Sequence, residues 1–160
     1  MISICHPGDI ERIYFIINEA AKAYEGVIPT DCYPQPYMSM EELEREMKEM
    51  TFFGWQVKGE FAGVIGFQPF KEVTLIRHLY VLPQWQRLGI ASQLIDNTKR
   101  LAKTPRLLVG TWADVCWAIV LYQKHGFKLL ANKDELLKKY WHIPQRQMEN
   151  SVVLGMLVKT

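Results

Sequence analysis

Leu79-Tyr-Val-Leu-Pro-Gln-Trp-Gln-Arg-Leu-Gly-Ile-Ala-Ser92 joins the end of an apolar run to a stretch of helical spacing. The run over residues 74–81 reads as a strand and stops at Pro83. Over residues 89–103, Ile90, Leu94, Ile95 and Leu101 recur at the spacing of one helical face. Gln86-Arg-Leu-Gly-Ile-Ala91 stands at the junction. A helix start leaves backbone N–H groups unpaired and carries the positive end of the dipole, so it suits an anionic phosphate. Gly89 lets the backbone approach such a group with no Cβ in the way, Ala91 is nearly as small, and Arg87 adds a positive charge. There is no Gly-Lys-Ser/Thr, which excludes a P-loop, and the glycine spacing is not the dinucleotide fingerprint.

Upstream, residues 3–5 read as a short strand. Asp9 is placed to cap a helix whose inner face is Ile10, Ile13, Tyr14, Ile17, Ala21 and Tyr24. Gly26 ends it, and a loop with Pro29, Pro34 and Pro36 follows. Ser39-Met-Glu-Glu42 is a capping box for a second helix, with Met40, Leu43, Met47 and Met50 turned inward. Residues 52–57 and 61–67 are strand-like, and Lys58-Gly59-Glu60 suits the turn between them. Downstream, Pro105 leads into a buried strand at 107–111 and a helix at about 115–125. His125-Gly126-Phe127 reads as a helix stop. A polar connection over residues 133–150 then leads to a last strand at 152–158. The expected order is βααβββαβαββ, a single α/β domain over residues 1–160 with no linker or repeat to divide it.

Gln86-x-x-Gly89-x-Ala91 after Val81-x-Pro83 resembles the acetyl-coenzyme A signature of the GNAT (Gcn5-related N-acetyltransferase) superfamily. Ala118-Ile-Val-Leu-Tyr122-Gln-Lys-His-Gly126-Phe127 is similar to that family's second cofactor segment, Ala-x-x-x-Tyr-x-x-x-Gly-Phe. With the element order, the resemblance covers nearly the whole chain. It implies a mixed, mostly antiparallel central sheet flanked by helices, with the fourth and fifth strands splayed. It implies acetyl-CoA as donor, its arm pairing with the main chain of Leu79, Tyr80 and Val81. Its pyrophosphate would be held by N–H groups of Gln86, Arg87, Leu88, Gly89, Ile90, Ala91 and Ser92. Tyr122 matches the tyrosine that protonates the departing thiolate. A phenol titrating near ~10 is a reasonable acid for a thiolate near ~8.5.

The chain departs from the family pattern twice. An asparagine often stands three residues before the Ala118 position; here it is Val115, with Thr111 or Asp114 as substitutes for its contact. Many members carry a glutamate on the fourth strand as general base, and the corresponding positions are Leu75 and Arg77. Uninterrupted alternation puts Leu75, Arg77, Leu79 and Val81 on one face, with Ile76, His78 and Tyr80 on the other. Arginine cannot accept a proton near neutral pH. Arg77 therefore reads as binding a substrate carboxylate or phosphate, or as pairing internally with Glu25, Glu60 or Glu72. Histidine suits a base. His78 takes that role if a β-bulge shifts the alternation, with Glu72 as another candidate and proton loss to water as the alternative to both.

The acceptor is expected to be a primary amine of a small molecule or peptide, attacked directly. Tyr33, Tyr37 and Trp112 are candidate acceptor-binding residues, and residues 140–146 a further wall. The same aromatics suit a homodimer interface equally well. The alternative to an enzyme is a non-catalytic acyl-CoA-binding sensor. A net charge of +2 gives no bulk argument for nucleic acid, and the run Lys99, Arg100, Lys103, Arg106 reads as a solvated helix end. No apolar run reaches the ~18 residues of a membrane helix, and no signal peptide is recognisable. Cys5, Cys32 and Cys116 are too widely spaced for a disulfide framework, and the four histidines lack metal-ligand spacing. A cytoplasmic protein with reduced thiols and no metal is expected.

Overall fold

The computed structural model describes residues 1–158. Strand β1 (Ile2–Ile4) runs antiparallel to β2 (Thr51–Val57), with helices α1 (Ile10–Ala20) and α2 (Met40–Glu49) between them in the chain. Asp9 precedes α1, but its carboxylate accepts from the His6 N–H at 2.8 Å and leaves the first turn of α1 uncapped by a side chain. The competing 3-10 turn Pro7–Asp9 takes the carboxylate that the sequence offered to the helix. The Ser39 cap does form, its hydroxyl accepting from the Glu42 N–H at 3.1 Å. That fixed start turns Glu42 and Glu46, four residues apart, toward the same side of α2.

Strand β3 (Glu60–Phe70) follows β2 through Lys58 and Gly59, at φ 52° and 82°. Positive φ at both turn residues matches the right-handed twist of a hairpin. Strand β4 (Val73–Val81) pairs antiparallel with β3, and helix α3 (Ile90–Leu101) leads from it to β5 (Arg106–Trp112). β4 and β5 are parallel and pair only from Val73↔Arg106 to Ile76↔Val109, after which the two strands part. Helix α4 (Cys116–Lys124) stops at Gly126, whose φ of 94° suits glycine. Strand β6 (Lys128–Leu129), helices α5 (Lys133–Tyr140) and α6 (Gln145–Glu149) and strand β7 (Ser151–Leu157) complete the described chain.

The sheet order is β1-β2-β3-β4-β5-β7-β6, and β4–β5 is its one parallel pairing among the described residues. The expected mixed, mostly antiparallel α/β sheet with parted fourth and fifth strands is therefore present. The polar connection expected over residues 133–150 is not: it holds α5 and α6. Leu136, Leu137 and Tyr140 of α5 and Met148 of α6 bury against Val73, Leu75, Leu108 and Val153. Both helices are short, and charged residues between the apolar ones hide their period. Helices α3 and α4 cover one face of the sheet, and α1, α2, α5 and α6 cover the other. No helix among the described residues is long and apolar enough to cross a membrane.

Candidate active site

The parting of β4 from β5 places a depression on each face of the sheet. Tyr80 and Val81 are neighbours on β4 and point to opposite sides. Val81 lines a groove of about 870 Å³ with the α3 start and α4, and Tyr80 lines a cavity of about 300 Å³ under α2 and α5. The fork between the strands, open beyond Ile76 and Val109, lies between the two spaces.

The groove is shaped by the turn before α3. Arg87 and Gly89 both have positive φ, 63° and 83°, which curls the chain into the helix start. α3 has no side-chain N-cap, so the N–H groups of its first turn remain available. A Cβ added at Gly89 would meet no atom within 4 Å, so it would occupy space open to a ligand. The Ser92 hydroxyl lies 2.9 Å from Nε2 of His125, whose Nδ1 is 3.2 Å from the Asp96 carboxylate. Arg87 and Lys124 supply positive charge at the walls, while Trp117 and Val120 give apolar surface. This is a fit for a long ligand with an anionic end at the helix start and an apolar arm running toward the fork.

In the opposite cavity, β4 breaks the alternation. Gly66 of β3 pairs with His78 and Phe67 with Ile76, so Arg77 is an extra, unpaired residue: a β-bulge. The strict alternation over residues 75–81 is thus overturned. His78 and Tyr80 now share the face of Leu75, while Ile76, Leu79 and Val81 share the other. The bulge also brings Arg77 and His78 together on the cavity wall, at the first positions beyond the last β4–β5 pair.

Glu46 of α2 reaches both. Its Oε1 is 3.1 Å from Nε2 of His78 and 3.9 Å from Nε of Arg77. Glu46 is 9% exposed, and its Oε2 has no hydrogen-bond partner among the described residues. Burial raises the pKa of the Glu46 carboxyl, but His78, Arg77 and Arg45 together outweigh burial and hold it below 4.5. Burial and the nearby Glu46 charge raise Glu42 instead. The internal partner of Arg77 is thus Glu46, not Glu25, Glu60 or Glu72. Glu72 lies outside the cavity, bound by the Tyr140 hydroxyl and by Lys139 at 3.3 Å.

Tyr37 lines the cavity and accepts from Nε1 of Trp112 at 2.8 Å. Tyr33 stands behind it, ring centroids 5.8 Å apart, and does not line the space. Burial raises the phenols of Tyr24, Tyr37 and Tyr80, so all stay protonated. Trp141 and Ile143 close the side formed by α5, and Arg146 ties α6 to Asp31 at 2.8 Å.

Of the remaining residues singled out by sequence, Gln86 donates to the Val81 carbonyl at 3.0 Å, and Gln86, Ile90 and Ala91 line the groove. The half-buried Leu79 side chain packs against the core, and Leu88 is exposed outside the groove. Tyr122 is 5% exposed, edge-on to Phe127, and burial with a contribution from Tyr24 raises its phenol. Val115 is wholly buried, Thr111 faces the cavity, and Asp114 is exposed. Sequence reading missed Glu46 and Glu42. Their only signal was a capping box that fixes which way α2 faces.

Residues 13–127 match the sequence pattern described as the acetyltransferase (GNAT) family. The chain belongs to that family. No curated protein sequence matches it. Solved structures match the GNAT fold along the full described length. The PaiA N-acetyltransferase from Thermoplasma acidophilum, solved in complex with coenzyme A, has a TM-score of 0.76 at 16% identity, covering 98% of this chain and 99% of its own. A GNAT acetyltransferase from Staphylococcus aureus Mu50 has a TM-score of 0.74 at 17% identity, covering 99% of each chain. One from Elizabethkingia anophelis, with acetyl-CoA bound, has a TM-score of 0.66 at 20% identity, covering 98% of this chain and 97% of its own.

Proposed function

We propose that this GNAT protein transfers an acetyl group from acetyl-CoA to a primary amine of a small molecule or peptide by direct attack. The observation that carries this reading is the fork. It lies between a groove with a helix start suited to phosphate and a cavity holding a His–Glu pair. When bound, acetyl-CoA supplies an activated thioester, whose carbon–sulfur bond breaks as the amine nitrogen bonds to the carbonyl carbon.

The protein's own groups account for the rest. N–H groups of residues 86–92 hold the diphosphate, and the free edge of Leu79, Tyr80 and Val81 aligns the arm with the fork. In the cavity, His78 takes a proton from the incoming ammonium, and Glu46 Oε1 holds the imidazole in place. Tyr122, matching the family's tyrosine by position, donates its proton to the leaving sulfur. The second proton lost by the nitrogen restores the phenol, and His78 returns the first to solvent. Arg77, Tyr37 and Trp112 hold the acceptor.

The test is thiol release from acetyl-CoA across a broad panel of amines. Amine-dependent release of free CoA, with the matching N-acetyl product, is expected. Tight acetyl-CoA binding with no release for any amine overturns the reading.

A further inference from the structure

Two opposite charges stand side by side on the cavity wall, each with unused hydrogen-bonding capacity. The Arg77 side chain is 23% exposed, and at 3.9 Å its contact with Glu46 is an ion pair beyond hydrogen-bond length. Its donor fork makes no hydrogen bond to any described residue. Glu46, which lines the cavity, is oppositely placed: Oε1 is engaged by His78, while Oε2 is buried and has no partner among the described residues. A buried carboxylate oxygen with no partner costs free energy that a bound cation would recover. An arginine fork with free donors is built for a carboxylate.

The geometry points to a free α-amino acid with an apolar or aromatic side chain as the acceptor, its ammonium on Glu46 Oε2 and its carboxylate on Arg77. Opposite charges 3.9 Å apart at their nearest atoms suit an acceptor whose own opposite charges sit on one carbon. A lone amine would leave Arg77 unused, and the first residue of a peptide has an amide where the carboxylate should be. The other walls, Tyr24, Tyr37, Trp112, Trp141 and Ile143, offer ring faces and methyl groups to the side chain. At about 300 Å³ the cavity is at the small end of ligand sites, a metabolite's size. His78 shares Glu46 with the ammonium, so the bound amine stands beside the base.

The inference rests on the acetyl-transfer reading for the fate of the amine, but not for how the amino acid is held. The experiment therefore reads turnover and binding separately. Phenylalanine, leucine and tryptophan are compared with phenylalaninamide, phenethylamine and a Phe-initiated dipeptide, using CoA release as the readout. The free amino acids are expected to exceed their carboxylate-lacking counterparts in kcat/KM by about 100-fold or more. Arg77→Gln is expected to abolish that preference, and Arg77→Lys to restore part of it. Calorimetry of phenylalanine into CoA-loaded protein gives the second readout.

Phenethylamine or the dipeptide turned over as well as phenylalanine overturns the amino-acid inference and leaves acetyl transfer standing. Phenylalanine that binds through Arg77 without turnover by any amine supports the amino-acid site and overturns acetyl transfer, and with it the acceptor role. Neither binding nor turnover overturns both. The wild-type comparison decides the matter even if an Arg77 variant fails to fold.

Discussion

His78 and Glu46 meet at 3.1 Å although 32 residues separate them in the chain. One comes from a bulged strand and the other from the helix lying over it. If this pair serves proton removal, His78→Gln lowers kcat/KM by about 10² to 10⁴, the usual contribution of a positioned base. The affinity for CoA stays as in the parent protein. Steady-state rates and CoA titration check both halves, and a rate within a few-fold of the parent contradicts the assignment.

Glu46 also links the site to stability. Its folded-state pKa lies below the ordinary 4.5. A carboxylate depressed on folding stabilises the native state above its unfolded pKa, and that contribution is lost as pH falls through the folded value. Glu46→Gln removes this titration. Urea midpoints followed from neutral pH downward should show a flatter acid limb in the variant, starting below 4.5. An acid limb that overlays the parent's is the contrary result.

Gly66 pairs with His78 at the bulge, and a Cβ there would lie 2.7 Å from Cε2 of Phe52. The Phe52 ring stacks on His78 at 5.9 Å. Gly66→Ala must push that ring, at a cost of about 1–3 kcal/mol for overpacking. A lower thermal midpoint is expected, together with a loss of kcat larger than any change in CoA binding.

Gly89 tests the groove by the opposite logic. Its φ of 83° strains any L-residue, while its Cβ position is open. Gly89→Ala should lose about 1–2 kcal/mol of stability from the left-handed backbone. It should also weaken CoA binding roughly tenfold or more, equivalent to about 1.4 kcal/mol. Equal CoA affinity would remove this turn from the site.

Cysteine alkylation offers a footprint. Cys116 is exposed and lines the groove, whereas burial, with Asp9 adding to it, pushes the Cys5 thiol up to about 12. At mildly alkaline pH, iodoacetamide should label Cys116 and spare Cys5. CoA should slow labelling of Cys116 when peptides are read by mass spectrometry, and unchanged labelling at saturating CoA contradicts its place in the groove.

The groove was largely legible in the sequence because its parts are local. Pro83, the positive-φ Gly89 and the helix start at Ile90 lie within a few residues, so chain order alone conveys the turn. The cavity was less legible. Whether Arg77 and His78 face the same space depends on a one-residue bulge, and no residue of β4 announces it. Glu46 reads as one charge among many on an amphipathic helix until α2 is packed over β4. α5 and α6 were missed because a few apolar residues on short helices form no clear period. Tertiary burial against Leu75, Leu108 and Val153 makes them helices.

The most direct test of the central claim is a crystal structure of the protein with CoA bound. The account predicts the diphosphate on the N–H groups at Gly89 to Ser92 and the arm along Leu79 to Val81. It predicts the sulfur in the fork beyond Ile76 and Val109, turned toward Tyr122 and the cavity of His78 and Glu46. CoA bound elsewhere, or a sulfur directed to solvent away from the fork, would contradict it.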